Sequence, residues 1–223
     1  MLKKETIGMK PTNKIIGIVD GDVLIYRACN KAIKEELDVR KTFDKIYDEV
    51  KMNTACDKYS LHISGGGNFR KEIKQDFLKY KGKRREKPEN YLECRDYVTK
   101  NHNPIMVPNY EADDTASVEA YKYIKENQLY MLITLDKDWK TIGGLFYNLL
   151  YNNLFAVSTI EGIEFFHQQL LTGDAVDNIP GIEGVGPVKA NRILKDKNLK
   201  DQFKAIIKAY KTHYPKDFKA RLN

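Results

Sequence analysis

The stretch Ile15-Ile16-Gly17-Ile18-Val19-Asp20 is an apolar run that stops at a carboxylate, and Met131-Leu132-Ile133-Thr134-Leu135-Asp136 repeats the pattern. Short runs without polar alternation read as strands buried on both faces. Between them the periodicity predicts helices over 23–36 and 40–57, a strand over 59–63, a basic segment, a helix over 89–100 and a strand over 105–107. Strands alternating with helices imply an α/β fold with a mostly parallel central sheet flanked by helices.

Working outward, Ala112, Ala116, Ala120 and Tyr123 share one face of a helix that starts near Tyr110. Beyond residue 160 the pattern stays helical, broken by Gly173 and by the glycine-rich run Pro180 to Pro187. The expected organisation is an α/β core over 1–160, with a basic segment at about 70–100, and a helical subdomain over 161–223. With no repeat, low-complexity tract or long linker between them, the C-terminal helices are expected to pack on the sheet.

The chain of 223 residues is 42% hydrophobic and 31% charged, enough to bury a core and unlike a disordered tail. No apolar stretch approaches the roughly 20 residues that cross a bilayer, and the N-terminal residues lack the apolar segment of a signal peptide. Cys29, Cys56 and Cys94 lack pair spacing, so reduced thiols and a cytoplasmic location are expected. The net charge of +7 is unevenly spread: residues 70–87 carry +6 and residues 187–223 carry +8, leaving the remainder at −7. Two basic blocks beside an acidic remainder suit a polyanion gripped by Lys and Arg, although solvated helix faces have the same composition.

The acids cluster where strands end. Asp20 follows the first strand, Glu111, Asp113 and Asp114 follow the expected 105–107 strand, and Asp136 and Asp138 follow the 131–135 strand. Ligands of open parallel sheets bind outside the carboxyl ends of the strands, so these groups are expected to converge. Asp174 and Asp177 form a fourth cluster and would share a face if they began a helix. Crowded carboxylates repel unless they protonate or hold cations, and all-oxygen ligand sets suit Mg²⁺ or Mn²⁺. Two such ions about 4 Å apart activate water and stabilise a leaving oxygen in phosphodiester hydrolysis. Helix capping is the other ready use of each cluster taken alone.

Gly184-Val185-Gly186-Pro187 opens a helix in which Pro takes the first position, and Lys189 and Arg192 add positive charge. Such a turn between helices lets backbone N–H groups approach phosphates, although glycine also makes ordinary helix-to-helix turns. In Phe77-Leu78-Lys79-Tyr80-Lys81-Gly82-Lys83-Arg84-Arg85 aromatics interleave with cations, a composition shared by single-strand-binding grooves and solvated basic loops. There is no GxSxG, HExxH or Walker A sequence, and the four histidines show no ligand spacing.

In order along 15–195, Val19-Asp20-Gly21-Asp22, Tyr80 to Arg84, Tyr110-Glu111-Ala112-Asp113-Asp114, Thr134 to Trp139 and Leu171 to Gly186 resemble the 5′-nuclease family of bacteriophage 5′-3′ exonucleases, flap endonucleases and the nuclease domain of bacterial DNA polymerase I. The resemblance implies a PIN-like fold with a C-terminal helix-three-turn-helix subdomain, the latter at about 171–195. It also implies a two-metal nuclease, using Mg²⁺ or Mn²⁺, that recognises DNA with a free 5′ end, flap or branch in replication and repair. By position, Asp20, Glu111, Asp113 and Asp114 would serve one ion, and Asp136, Asp138, Asp174 and Asp177 the other, with Asp20 and Asp136 central to catalysis. Tyr80, Lys81 and Arg84 match the arch entrance, where an aromatic stacks on substrate and a basic residue contacts the scissile phosphate. Lys83 and Arg85 extend that surface. Gly184, Gly186, Lys189 and Arg192 match the duplex-gripping turn, which in relatives binds K⁺. A monomer is expected, working with replication proteins in the cytoplasm, or in the host cytoplasm if phage-encoded.

Two departures from the family pattern stand out. Gly65 falls about where many relatives carry another Asp, which leaves Asp22 or water to substitute, and the chain ends 36 residues after Pro187. Two other readings follow: a junction-binding protein with weakened metal competence, in which Gly65→Asp would gain cleavage, and a related acidic-cleft ribonuclease.

Overall fold

The computed structural model describes residues 14–72 and 86–222. The described residues divide into two compact units, one built from 14–67 together with 87–156, the other from 68–72 and 86 with 157–222.

The first unit is a sheet covered by helices. β1 (Ile15–Asp20) leads into α1 (Gly21–Glu35) and α2 (Val39–Thr54), and the chain returns through β2 (Lys58–His62). α3 (Tyr91–Asn101) and α4 (Ala112–Glu126) then precede β3 (Leu129–Thr134), β4 (Gly144–Asn148) and β5 (Asn153–Val157). The strand order is β2-β1-β3-β4-β5, with β1 parallel to both β2 and β3, and β3 parallel to β4. Because the chain winds first to one side of β1 and then to the other, the order reverses at the carboxyl ends of β1 and β3, where open α/β sheets form their crevice.

The apolar runs at the two strands explain this placement. Ile18, Val19, Leu132 and Ile133 are fully buried, and a core of Leu24, Ile25, Phe43, Ile63 and Val98 lies around the sheet and its helices. Ala112, Ala116 and Ala120 form the buried face of α4, as their spacing predicts. The expected strand at 105–107 is instead a single bridge between His62 and Ile105, because Pro104 and Pro108 flank it and proline cannot donate to a ladder. β4 and β5 lie where no strand is expected from sequence.

In the second unit α5 (Thr159–Thr172) enters a short antiparallel hairpin of β6 (Gly173–Asp174) and β7 (Ile179–Pro180), followed by α6 (Pro187–Leu194), α7 (Leu199–His213) and α8 (Phe218–Leu222). These helices bury one another's apolar faces around Leu171, Ile182, Ala190, Ile206 and Tyr210, a core of their own.

Candidate active site

Asp20 and Asp136 are joined by one hydroxyl. Asp20 ends β1 and caps α1, its Oδ1 accepting from the Val23 N–H at 3.1 Å. The Thr134 hydroxyl, on the neighbouring strand, donates to Asp20 Oδ2 at 2.8 Å and accepts from the Asp136 N–H at 2.9 Å. Asp136 Oδ1 in turn accepts from the Asp138 N–H at 2.9 Å and caps a short 3₁₀ turn, Lys137–Thr141, that buries Trp139. Burial pushes the Asp20 carboxyl up to about 7; the Thr134 and Val23 hydrogen bonds oppose the shift, and the charges of Asp22 and Asp136 add to it.

The start of α4 is tied to the same end of the sheet through Ser64. Its N–H donates to Asp22 Oδ2 at 3.1 Å, its hydroxyl donates to the same oxygen, and its Oγ accepts from the Ala112 N–H at 3.3 Å. Glu111 is buried at the start of α4, while Asp113 and Asp114 are half-buried. Asp114 Oδ2 accepts from the Glu111 N–H and Asp113 Oδ1 from the Asp114 N–H, both at 2.9 Å. In this conformation Glu111 and Asp114 form the capping box that opens the helix. His62, fully buried on β2, holds α4 from below with Nδ1 2.9 Å from Thr115 Oγ1 and Nε2 2.6 Å from Glu119 Oε2.

Gly65 corrects one expectation. A Cβ on it would lie 1.8 Å from the Val107 carbonyl oxygen, and its N–H donates to Tyr110 O at 2.9 Å, so the backbone of the crossing loop occupies the space an aspartate would need. A carboxylate cannot be restored there by substitution alone. Asp22 reaches the vicinity instead, held by Ser64 and facing Arg95 at 3.7 Å.

The second unit carries the remaining described candidates. Asp174 and Asp177 do not begin a helix: Asp174 ends β6 and Asp177 lies in the hairpin turn that follows, where Asp174 Oδ1 accepts from the Val176 N–H at 2.7 Å. Gly173 explains the break, with φ +70° and a Cβ position that would fall 2.3 Å from Ile179 O. Gly184 also has positive φ, Gly186 caps α6, Pro187 takes its first turn as expected, and Lys189 and Arg192 are exposed. Tyr80, Lys81, Lys83, Arg84 and Arg85 lie outside the described residues.

The donor chemistry fits a hard divalent cation: all ligands are oxygens, and a buried Asp20 beside the Asp22 and Asp136 charges gains from a neighbouring positive charge. Among the described residues no group of three or more His, Cys, Asp or Glu stands close enough to hold an ion by itself. An ion here would complete its shell with water or substrate, as Mg²⁺ commonly does. Sequence reasoning missed Thr134, Ser64 and Arg95. Thr134 was readable in principle, as the polar residue of an otherwise apolar strand, but Arg95 carries no local signal.

No protein-family model matches the chain. It is 27% identical over 203 residues to the flap endonuclease Xni of Shewanella baltica, an alignment spanning 82% of this chain and 74% of the relative. Among solved structures, bacteriophage T5 D15 protein co-crystallized with metal ions superposes with TM-score 0.65 at 18% identity, covering 94% of this chain and 97% of the other. The T5 flap endonuclease in a pseudo-enzyme-product complex with DNA and metal ions gives 0.63 at 17% identity, covering 94% and 97%. The structural likeness establishes a shared fold, and the sequence likeness extends over most of the chain. In sequence and in fold the chain is thus similar to members of the 5′-nuclease family.

Proposed function

We propose that the protein is a structure-specific 5′-nuclease that hydrolyses DNA phosphodiesters at a free 5′ end, flap or branch. The observation that carries this reading is the Asp20–Thr134–Asp136 connection, which holds two carboxylates together at the strand-order reversal of a parallel sheet. Similarity to curated flap endonucleases over most of the chain supports the substrate class.

Divalent cations, Mg²⁺ or Mn²⁺, supply an activated water and neutralise charge on the reacting phosphate when bound. Asp20 and Asp136 would hold them, with Asp138, Glu111, Asp113 and Asp114 orienting metal-bound water. Thr134 fixes the direction of the Asp20 carboxylate and leaves its charge to be balanced by the cation. Two ions serve the reaction in this reading, and Asp174 and Asp177 are further acidic candidates. Lys81 and Arg84 would meet the scissile phosphate, Tyr80 would stack on a base, and Lys83 and Arg85 would follow the strand. The Gly184 to Pro187 turn, with Lys189 and Arg192, would grip the duplex backbone and take K⁺. The protein would act as a cytoplasmic monomer beside replication proteins; no described helix is long and apolar enough to cross a membrane.

Incubation with 5′-flap, nicked and single-stranded DNA, with Mg²⁺ or with chelator, tests the reading. Metal-dependent cleavage of the flap is expected. Binding without turnover would leave a junction-binding protein, and cleavage confined to single-stranded RNA would replace DNA as the substrate.

A further inference from the structure

Beside Asp22 the chain supplies a cation of its own. Arg95, on α3, has a side chain only 21% exposed, and its Nη1 lies 3.7 Å from Asp22 Oδ1. Its Nη2 donates to the Ser64 carbonyl and approaches Met106 Sδ at 3.3 Å, and the Tyr91 phenol is within hydrogen-bonding reach. The guanidinium is therefore held from several directions. Asp22 is held on one oxygen only: Oδ2 accepts from Ser64, whereas Oδ1 is buried without a hydrogen bond and faces the Arg95 charge. Gly65, immediately after Ser64, has no room for a side chain.

We infer that Arg95 is a positioning residue that withholds Asp22 from metal, standing as a resident cation on the side of the site where Gly65 excludes a carboxylate. The inference rests on the nuclease reading and deepens it, by assigning the metal demand of the site to Asp20 and Asp136 instead of Asp22. A guanidinium a few ångströms from a carboxylate in a partly desolvated site opposes a second cation there. Without that charge, Asp22 Oδ1 would face the site beside Asp20 and raise its attraction for a divalent ion.

Mn²⁺ titration by calorimetry, without DNA, tests this independently of turnover. Arg95→Gln should bind Mn²⁺ about tenfold more tightly than wild type, or take one more ion, a change equivalent to one additional charge interaction. Arg95→Lys should resemble wild type, and Arg95→Gln with Asp22→Asn should lose the gain. Unchanged or weaker binding in a folded Arg95→Gln protein, judged by its thermal melt, would overturn the inference. Should that variant not fold, Asp22→Asn alone decides: a change of at most about twofold is expected, because the carboxylate is already neutralised, whereas about tenfold loss would make Asp22 a ligand and overturn the inference. Absence of Mn²⁺ binding by wild type itself would overturn the metal reading and this inference together.

Discussion

The Thr134 hydroxyl donates to Asp20 Oδ2 at 2.8 Å across the junction of β1 and β3. The register makes this possible: Val19 pairs with Ile133, so the next residues on the two strands stand side by side. Because the same oxygen accepts the Asp136 N–H, one side chain sets the positions of both carboxylates.

Thr134→Val should therefore cost about 1–3 kcal/mol, since it preserves shape but leaves a buried carboxylate and a backbone N–H without their partner. Thr134→Ser should recover most of the loss. Denaturant unfolding of the three proteins, with m-values compared, provides the check.

Asp20 makes a distinct pH prediction for the metal-free protein. Its carboxyl lies at about 7 in the fold and near 3.8 when the chain is unfolded. Between these values the folded state binds more protons, so this group's contribution to stability is present below about pH 4 and is lost as pH rises toward 7. In chelator, Asp20→Asn should gain on wild type as pH rises over that window, by on the order of 1–3 kcal/mol after allowing for its altered hydrogen bonding. Thermal melts at several pH values, repeated with Mg²⁺, would show the difference shrinking when metal neutralises the wild-type carboxylate. A constant difference across the window would contradict the assignment.

Gly65→Ala and Gly65→Asp should both destabilise the protein, by about 3 kcal/mol or more, because any Cβ collides with the Val107 carbonyl. Neither variant should gain Mn²⁺ affinity. A stable Gly65→Asp protein with tighter metal binding would show that the loop yields more readily than its packing indicates.

The α/β sheet was legible in sequence because Gly17 to Asp20 and Tyr130 to Thr134 are buried on both faces, so burial itself wrote the apolar runs. β5 escaped because Leu154 is exposed and Asn153 interrupts its start, leaving neither a continuous run nor a clean alternation. Asp174 and Asp177 misled because their helical spacing competes with Gly173, whose positive φ turns the chain into a hairpin. Asp20 and Asp136 were legible as carboxylates where β1 and β3 end. The contacts around them were not: Thr134 acts through strand register, and Arg95 reaches Ser64 across 31 residues of chain.

Cleavage of a 5′-flap DNA in Mg²⁺ by wild type and Asp136→Ala, with DNA binding measured in parallel, tests the central claim most directly. Metal-dependent cleavage by wild type is expected, with a loss of about a hundredfold or more in Asp136→Ala and binding changed by no more than about threefold, because on the proposed reading the carboxylate would hold a divalent cation and would not grip the duplex. Equal cleavage by the two proteins would contradict the account.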